Sequence, residues 1–191
     1  MNKTNKIDTG PISLNEWNII KPNLTGLWPV FYELLWQTGI RVSEGLMLKP
    51  SDLIPDFKDN YIKVTRLKKR KEIIDELPIN GHLMNDLLSL CSNRNYLFSR
   101  TIRKKEKVYT RVTAFNNLKK ALKRAKFERN LHPHNFRHGF GKRIAEIQEL
   151  TALDSLQLIK KALNLSSINY ATRYSKMSDT QAINILKKLN S

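Results

Sequence analysis

The sequence contains very little cysteine. Cys91 is the only one among 191 residues, so the chain cannot close an internal disulfide or build a zinc site from cysteine ligands. This usage is typical of cytosolic proteins. Glycine and proline are also scarce, with seven of each, which excludes a collagen-like or proline-rich low-complexity chain.

Long apolar runs are absent as well. The most apolar stretch, residues 24–40, is interrupted by Pro29, Glu33 and Gln37, whereas a membrane-spanning helix needs roughly 20 mostly apolar residues. Residues 1–10 are polar and lack the apolar core of a signal peptide. The sequence therefore predicts no membrane partner and a cytoplasmic location.

Acidic residues are scarce, and basic residues outnumber them two to one. The chain has 34 Lys and Arg against 17 Asp and Glu, a formal charge of +17. Such a surplus indicates a polyanionic partner, most often nucleic acid, although charge alone leaves RNA-binding proteins, DNA-binding enzymes and membrane-surface proteins open. Apolar residues make up 40% of the chain, enough to form the core of one folded domain.

The predicted secondary structure is mainly helical with a small sheet. Ser13 and Glu16 have the spacing of a capping box, and Ser43 and Thr113 are expected to cap later helices. Alternating apolar residues predict strands near 61–64 and 73–79, joined by a charged turn into a hairpin. Further expectations are a buried strand at 96–98, a basic loop over 100–111, and helices over 29–37, 82–91, 113–125, 135–149, 154–163 and 179–189. The predicted fold class is mixed, mainly α, with a small antiparallel β-sheet or hairpin packed on a helical bundle.

Four segments carry the residues that point to chemistry. They are Thr38-Gly39-Ile40-Arg41-Val42-Ser43-Glu44, Arg66-Leu67-Lys68-Lys69, Leu131-His132-Pro133-His134-Asn135-Phe136-Arg137-His138 and Asn169-Tyr170-Ala171-Thr172-Arg173-Tyr174. Each alone has an ordinary explanation, such as a surface arginine, a helix-cap region or a core tyrosine with a hydrated hydroxyl. Their combination and order are what carry information.

In this order the segments resemble the catalytic domain of the tyrosine recombinase (phage integrase) family. Members of that family carry a Thr-Gly-x-Arg-x-Ser-Glu turn, a lysine on a β-hairpin, a His-x-x-Arg pair that opens a helix, and a tyrosine near the C-terminus. The corresponding residues here are Arg41, Lys68, His134, Arg137 and Tyr174. The sequence predicts a flexible lead-in over residues 1–12, and the resemblance implies the catalytic domain over 13–178. A C-terminal helix over 179–191 would follow, which either docks on its own domain or packs on a neighbouring protomer.

The resemblance also implies a chemistry without metal or other cofactor. Tyr174 would attack the scissile phosphorus and form a 3′-phosphotyrosyl bond, while Arg41 and Arg137 would hold the non-bridging oxygens with their guanidinium forks. Lys68 would protonate the leaving 5′-oxygen, and His134 would assist at the tyrosine or hold the phosphate. Since the covalent link conserves the phosphodiester energy, rejoining needs no nucleotide.

Several supporting residues are expected around this set. Glu44 would orient the Arg41 turn. Lys69 competes with Lys68 as the general acid, because they lie nine and ten residues before Pro78, and strand alternation favours Lys68 only weakly. His132 and His138 are poor metal ligands, since no carboxylate or thiolate cluster accompanies them. The residues expected to bind DNA are Arg66, Lys69, Arg70, Lys71, Lys119 and Lys123.

One position departs from the family pattern. Leu165 occupies the place, nine residues before Tyr174, where relatives usually have a histidine or a tryptophan. Leucine cannot donate a hydrogen bond to a phosphate. Three explanations stay open: activity with less phosphate support, substitution by another donor such as Asn164, or an impaired enzyme.

The expected function is that of a site-specific DNA recombinase of the integrase, excisionase or invertase type, from a mobile element or its host. It would act on double-stranded DNA near the nucleoid, self-associate to a tetramer only on DNA, and exchange strands through a Holliday junction. One alternative is a non-catalytic or degenerate DNA-binding relative; another is relaxation of DNA like a type IB topoisomerase. The length fits an isolated integrase C-terminal domain or a short, fimbrial-invertase-like member.

Overall fold

The computed structural model describes residues 10–68, 71–92, 94–147 and 150–173. The chain divides into two compact units, residues 1–140 (the N-terminal unit) and 141–191 (the C-terminal unit). The boundary falls inside one helix, so that helix contributes its first turns to the N-terminal unit and its last turns to the C-terminal unit.

Helices dominate, and the strands form two small antiparallel sheets. The α-helices are α1 (Leu14–Ile20), α2 (Trp28–Thr38), α3 (Val42–Leu46), α4 (Gly81–Ser89), α5 (Arg111–Arg124), α6 (His134–Ala145) and α7 (Ala152–Ala162), with 3-10 turns at Lys21–Asn23, Pro50–Asp52 and Ile168–Arg173. The strands are β1 (Leu53–Ile54), β2 (Asn60–Lys68), β3 (Lys71–Ile79), β4 (Ser99–Ile102) and β5 (Lys105–Val108). The first three form one sheet in the order β1-β2-β3, and β4 pairs with β5. The predicted fold class is confirmed.

Helix α2 forms the centre of the N-terminal unit. Its side chains Phe31, Tyr32, Leu34 and Leu35 are almost completely buried. The Phe31 and Phe98 ring centroids lie 4.9 Å apart in an edge-to-face arrangement, a geometry that aromatic pairs prefer. Packing in this aromatic core fixes the position of the end of α2 and of the turn that follows it.

The predicted helix starts are partly confirmed. Ser13 caps α1, and its hydroxyl and backbone N–H make the reciprocal bonds with Glu16 that define a capping box. Helix α5 begins one turn earlier than expected, with Thr110 rather than Thr113 as its cap. The residue that caps α3 is Arg41 and not Ser43. In both cases the actual cap lies before the first helical residue, where an extended backbone is required.

The region after α4 differs from the prediction. Leu97 and Phe98 are buried as expected, but the strand begins only at Ser99 and continues into a hairpin where a basic loop was predicted. Arg103 and Lys104 form its tip with positive φ angles of 48° and 62°, which two-residue hairpin turns require. The turn lacks the Asn-Gly or Asp-Gly signal, so its sequence did not indicate a hairpin.

The end of the predicted lead-in is fixed to the N-terminal unit. Ile12 is buried, and its N–H donates to the Asn135 carbonyl at 3.3 Å. The Asn135 side-chain amide donates in turn to the Gly10 carbonyl. Residues 10–12 are therefore part of the folded unit rather than of a flexible lead-in. The predicted helix over 179–189 lies outside the described residues.

In the described part of the chain, no helix has both the length and the apolar character needed to cross a membrane.

Candidate active site

The turn between α2 and α3 holds Arg41 by its own backbone and by Glu44. Gly39 ends α2 in the left-handed conformation (φ 61°), which a residue without Cβ adopts at little cost. Glu44 accepts the Arg41 backbone N–H at 2.7 Å and a guanidinium N–H at 2.6 Å. The Arg41 side chain nevertheless stays 46% exposed, so an anion from solvent can reach it.

Arg137 binds the same turn from the first part of α6. Its guanidinium donates to the Gly39 carbonyl at 2.8 Å, and the residue is 4% exposed. The contact joins two segments 98 residues apart in sequence. The structure thus brings together the turn of Arg41 and the helix of Arg137, as the resemblance implies.

His134 opens α6 one turn before Arg137. Its ring lies edge-to-face with that of His138, 4.6 Å between centroids. Desolvation of the ring, reinforced by the nearby charges of His138, Arg137, His132 and Arg41, lowers the pKa of His134 to about 4. The imidazole is therefore neutral at pH 7 and can both donate and accept a hydrogen bond.

The entry into α6 is fixed by a residue that the sequence interpretation overlooked. Buried Asn135 accepts the backbone N–H of His132 with its side-chain oxygen, and its amide holds Gly10. The His132 ring stacks at a tilt on Phe115, 4.6 Å between centroids, and burial lowers its pKa. The signal that could have indicated this role is an asparagine placed between two histidines at the start of a predicted helix.

The β2–β3 hairpin carries the predicted lysine and a buried arginine. Lys68 is the last residue of β2 and pairs in register with Lys71, the first of β3. Arg66 is fully buried on the same strand face as Ile62 and Val64, and its Nε lies 2.9 Å from the Asp75 carboxylate. Its predicted contact with DNA is therefore wrong for this structure: the side chain has no surface to offer.

The remaining basic residues fall into two groups. Lys119 and Lys123 are exposed on α5, opposite the buried Leu118, Ala121 and Leu122, so their placement is compatible with contact to a polyanion. In the second group, Lys69 and Arg70 lie outside the described residues, and their predicted DNA contacts, like that of Lys71, stay predictions. The predicted nucleophile Tyr174 also lies outside the described residues, so its role stays a prediction.

In the C-terminal unit, Asn164 and Leu165 lie just after helix α7 and terminate it. Asn164, two residues beyond the last helical residue, adopts the left-handed conformation (φ 46°). The N–H of Asn164 bonds to Lys161 at 3.0 Å and that of Leu165 to Lys160 at 2.9 Å, which is a Schellman motif. Asparagine is the residue that best replaces glycine there. Tyr170, in the 3-10 turn that follows, is half-exposed.

The part of the chain that the structure describes contains no group of three or more His, Cys, Asp or Glu side chains that could hold a metal ion.

Comparison with known proteins identifies the family. Residues 28–181 match the model of the phage integrase family. The chain is 32% identical over 164 residues to a probable integrase/recombinase of Acholeplasma phage L2, covering 84% of this chain and 52% of that protein. It is 24% identical over 157 residues to a tyrosine recombinase of Thermosipho africanus (strain TCF52B), covering 82% and 52%. The chain thus spans about half the length of the curated relatives it matches.

Solved structures share the fold. The chain is similar to the XerH site-specific recombinase bound to a palindromic difH substrate, with a TM-score of 0.72, 16% identity, and coverage of 100% of this chain and 56% of that one. It is also similar to the Tn1549 transposon integrase in complex with a circular intermediate DNA, with a TM-score of 0.69, 19% identity, and coverage of 98% and 67%. These structures show the fold, and the match of residues 28–181 shows the family: the chain belongs to the phage integrase family.

Proposed function

We propose that this chain is the catalytic part of a site-specific DNA recombinase that cuts and rejoins duplex DNA through a 3′-phosphotyrosyl intermediate. The observation that carries the proposal is the bond from Arg137 to the Gly39 carbonyl. It joins the two arginine-bearing segments, and His134 lies near enough for both arginine charges to act on it. Two guanidinium groups and a neutral imidazole around one turn suit a phosphodiester.

The cleavage step assigns each group a role. The Tyr174 oxygen attacks phosphorus, the bond from phosphorus to the 5′-oxygen breaks, and the leaving oxygen takes a proton from Lys68. Arg41 and Arg137 neutralise the non-bridging oxygens, whose charge grows at the transition state. His134, neutral at pH 7, accepts the proton that the attacking tyrosine gives up. Rejoining reverses the step, with a 5′-hydroxyl attacking phosphorus and the tyrosine leaving.

The partner in this proposal is duplex DNA. The supporting observations are the formal charge of +17, the exposed lysines of α5, and solved relatives that were crystallised with DNA substrates. Assembly into a tetramer on DNA, strand exchange through a Holliday junction and docking of residues 179–191 on a neighbouring protomer belong to the same proposal.

One observation favours a second candidate, a non-catalytic DNA-binding relative. Leu165 has no hydrogen-bond donor in its side chain, and Asn164 is used by the backbone as a helix terminator. Without a donor at position 165, phosphate support rests on Arg41, Arg137 and His134 unless the Asn164 side-chain amide supplies one. The two candidates differ in one measurable property, which is the formation of a covalent protein–DNA bond.

The test is a trapping assay with nicked suicide duplexes, in which the fragment beyond the cleavage point diffuses away and rejoining fails. A library with a randomised core removes the need to know the target site. We expect a covalent adduct that survives denaturation and is absent for Tyr174→Phe. No adduct across the library would refute the enzyme, and retained DNA binding would then support the non-catalytic relative.

A further inference from the structure

Arg66 is a fully buried cation next to the Arg41 turn. It is 0% exposed and lies on strand β2 of the β2–β3 hairpin. A buried guanidinium is costly unless carboxylates and hydrogen bonds compensate it. Asp75, across the hairpin on β3, supplies one such carboxylate, with 2.9 Å between its oxygen and the Arg66 Nε.

The second carboxylate near Arg66 is Glu44. Helix α3, which carries Glu44, packs against β2, and the Glu44 side chain is only 9% exposed. Burial lowers the pKa of Arg66, while the charges of Glu44 and Asp75 act in the opposite direction and the charge of Arg41 adds to the lowering. Glu44 therefore hydrogen-bonds to the exposed Arg41, and its charge also acts on the buried Arg66.

We propose that Arg66 is a positioning residue for Arg41. Its buried guanidinium pairs with the Asp75 carboxylate of the hairpin and attracts the Glu44 carboxylate of the adjacent helix α3 by its charge, and Glu44 fixes Arg41 through two hydrogen bonds. The inference rests on the proposed function, because Arg41 needs a fixed position only if it receives a phosphate. It assigns to the hairpin a second task, since Lys68 follows Arg66 by two residues on the same strand.

The physical consequence concerns how the Glu44 charge is shared. With Arg66 behind it, the Glu44 carboxylate is held in one position and its negative charge is partly balanced from the interior. Without Arg66, Arg41 becomes the main cation beside Glu44, so Arg41 is both less well oriented and more strongly engaged by the carboxylate. Either effect weakens neutralisation of the phosphate and leaves general DNA affinity unchanged.

The first experiment compares two substrates in the trapping assay. Arg66→Met keeps the length and apolar stem of the side chain but removes its charge, and Arg66→Lys keeps the charge but loses the planar fork. We expect Arg66→Met to slow adduct formation about 10–100-fold, as loss of a supporting hydrogen-bond partner commonly does. On a duplex whose scissile phosphate is a neutral methylphosphonate, the rate should approach that of the parent, because no charge then needs neutralising.

The matched control is Arg129→Met, which breaks another arginine–carboxylate pair of the N-terminal unit, with Glu16. Arg129→Met should not change the rate of adduct formation on either the natural duplex or the methylphosphonate duplex. Equal slowing of Arg66→Met on both substrates would show a merely structural role, and no slowing would show no role; either result overturns the inference. Partial recovery by Arg66→Lys on the natural phosphate supports it.

A second measurement needs no activity. The order parameter of the Arg41 Nε–H bond, measured by NMR on the DNA-free protein, should fall in Arg66→Met and stay unchanged in Arg129→Met. If the parent forms no adduct, the proposed enzymatic function fails and this measurement alone decides the inference. An unchanged Arg41 order parameter in Arg66→Met would refute it.

Discussion

The three arginines around the α2–α3 turn differ chiefly in exposure. The Arg41 side chain is 46% exposed, Arg137 is 4% exposed and Arg66 is fully buried. A phosphate that arrives from solvent can contact the exposed Arg41 first. The buried side chains of Arg137 and Arg66 have less freedom to move. The site thus combines an accessible guanidinium with two whose positions are set by Gly39 and Asp75.

The lowered pKa of His134 has a measurable effect on acid stability. The folded-state pKa is about 4, below the usual value of 6.5. Above pH 6.5 both states are neutral and His134 contributes nothing; as the pH falls from 6.5 to 4, the unfolded chain takes up a proton that the folded chain does not, so stability is lost. For a partly exposed ring this loss is about 1 kcal/mol after allowance for solvent screening.

We therefore expect His134→Gln to lose less stability than the parent between pH 7 and pH 4.5, measured by urea denaturation at both values. His82→Gln, at an exposed position of α4, is the control and should behave like the parent. An identical pH dependence for the parent and His134→Gln would contradict the argument.

The individual residues show what the sequence could and could not reveal. The order of motifs placed Arg41, His134 and Arg137 in one candidate site, and the structure brings their segments together. Strand alternation places Arg66 on one face with Ile62 and Val64. The sequence could not show that this face stays buried as far as Arg66, because a hydropathy pattern assigns a charged residue to the surface.

At the scale of elements, some signals with a local cause were reliable, although the predicted caps Ser43 and Thr113 were not the actual ones. The Ser13 capping box and the glycine that ends α2 act within one turn of helix, so they can be recognised without knowledge of the fold. The β4–β5 hairpin was missed because Arg100, Lys105 and Lys107 face solvent, and Arg103 and Lys104 adopt positive φ angles without a glycine or asparagine. Its pairing is set by neighbours rather than by its own composition.

The packing of α6 on residues 10–12 depends on a single glycine. A Cβ added to Gly139 would lie 2.6 Å from the Ile12 carbonyl oxygen and 2.9 Å from its Cγ2. The nearest atom is backbone, which cannot rotate away. We expect Gly139→Ala to lower the free energy of unfolding by about 1–3 kcal/mol, the usual effect of overpacking, despite the better helix propensity of alanine. The measurement is the urea midpoint.

Gly81→Ala is the matched control for that substitution. Gly81 is the first residue of α4, and its added Cβ would meet only the Asn60 side chain, at 3.7 Å, an ordinary contact. It should be neutral or slightly stabilising. If Gly139→Ala were as stable as Gly81→Ala, the close approach of Ile12 to α6 would not exist in solution.

At the scale of the whole molecule, charge is the dominant property. The surplus of +17 first indicated only a polyanion, and family membership makes duplex DNA the proposed partner. We expect DNA binding with a strong salt dependence, since each neutralised phosphate of B-DNA contributes about −0.9 to the slope of log K against log salt.

The exposed lysines of α5 make it possible to test whether this surface contributes to the salt dependence of DNA binding. Lys119→Gln with Lys123→Gln should weaken binding at low salt and reduce the slope by up to about 2, one phosphate contact for each lysine. The control pair, Lys49→Gln with Lys58→Gln, removes the same charge at two other exposed positions and should leave the slope nearly unchanged. Fluorescence anisotropy of a labelled duplex between 50 and 200 mM salt measures both. Equal reductions would mean that DNA responds to the net charge of the molecule and not to the α5 face, because long-range attraction depends on total charge whereas counterion release depends on direct contacts.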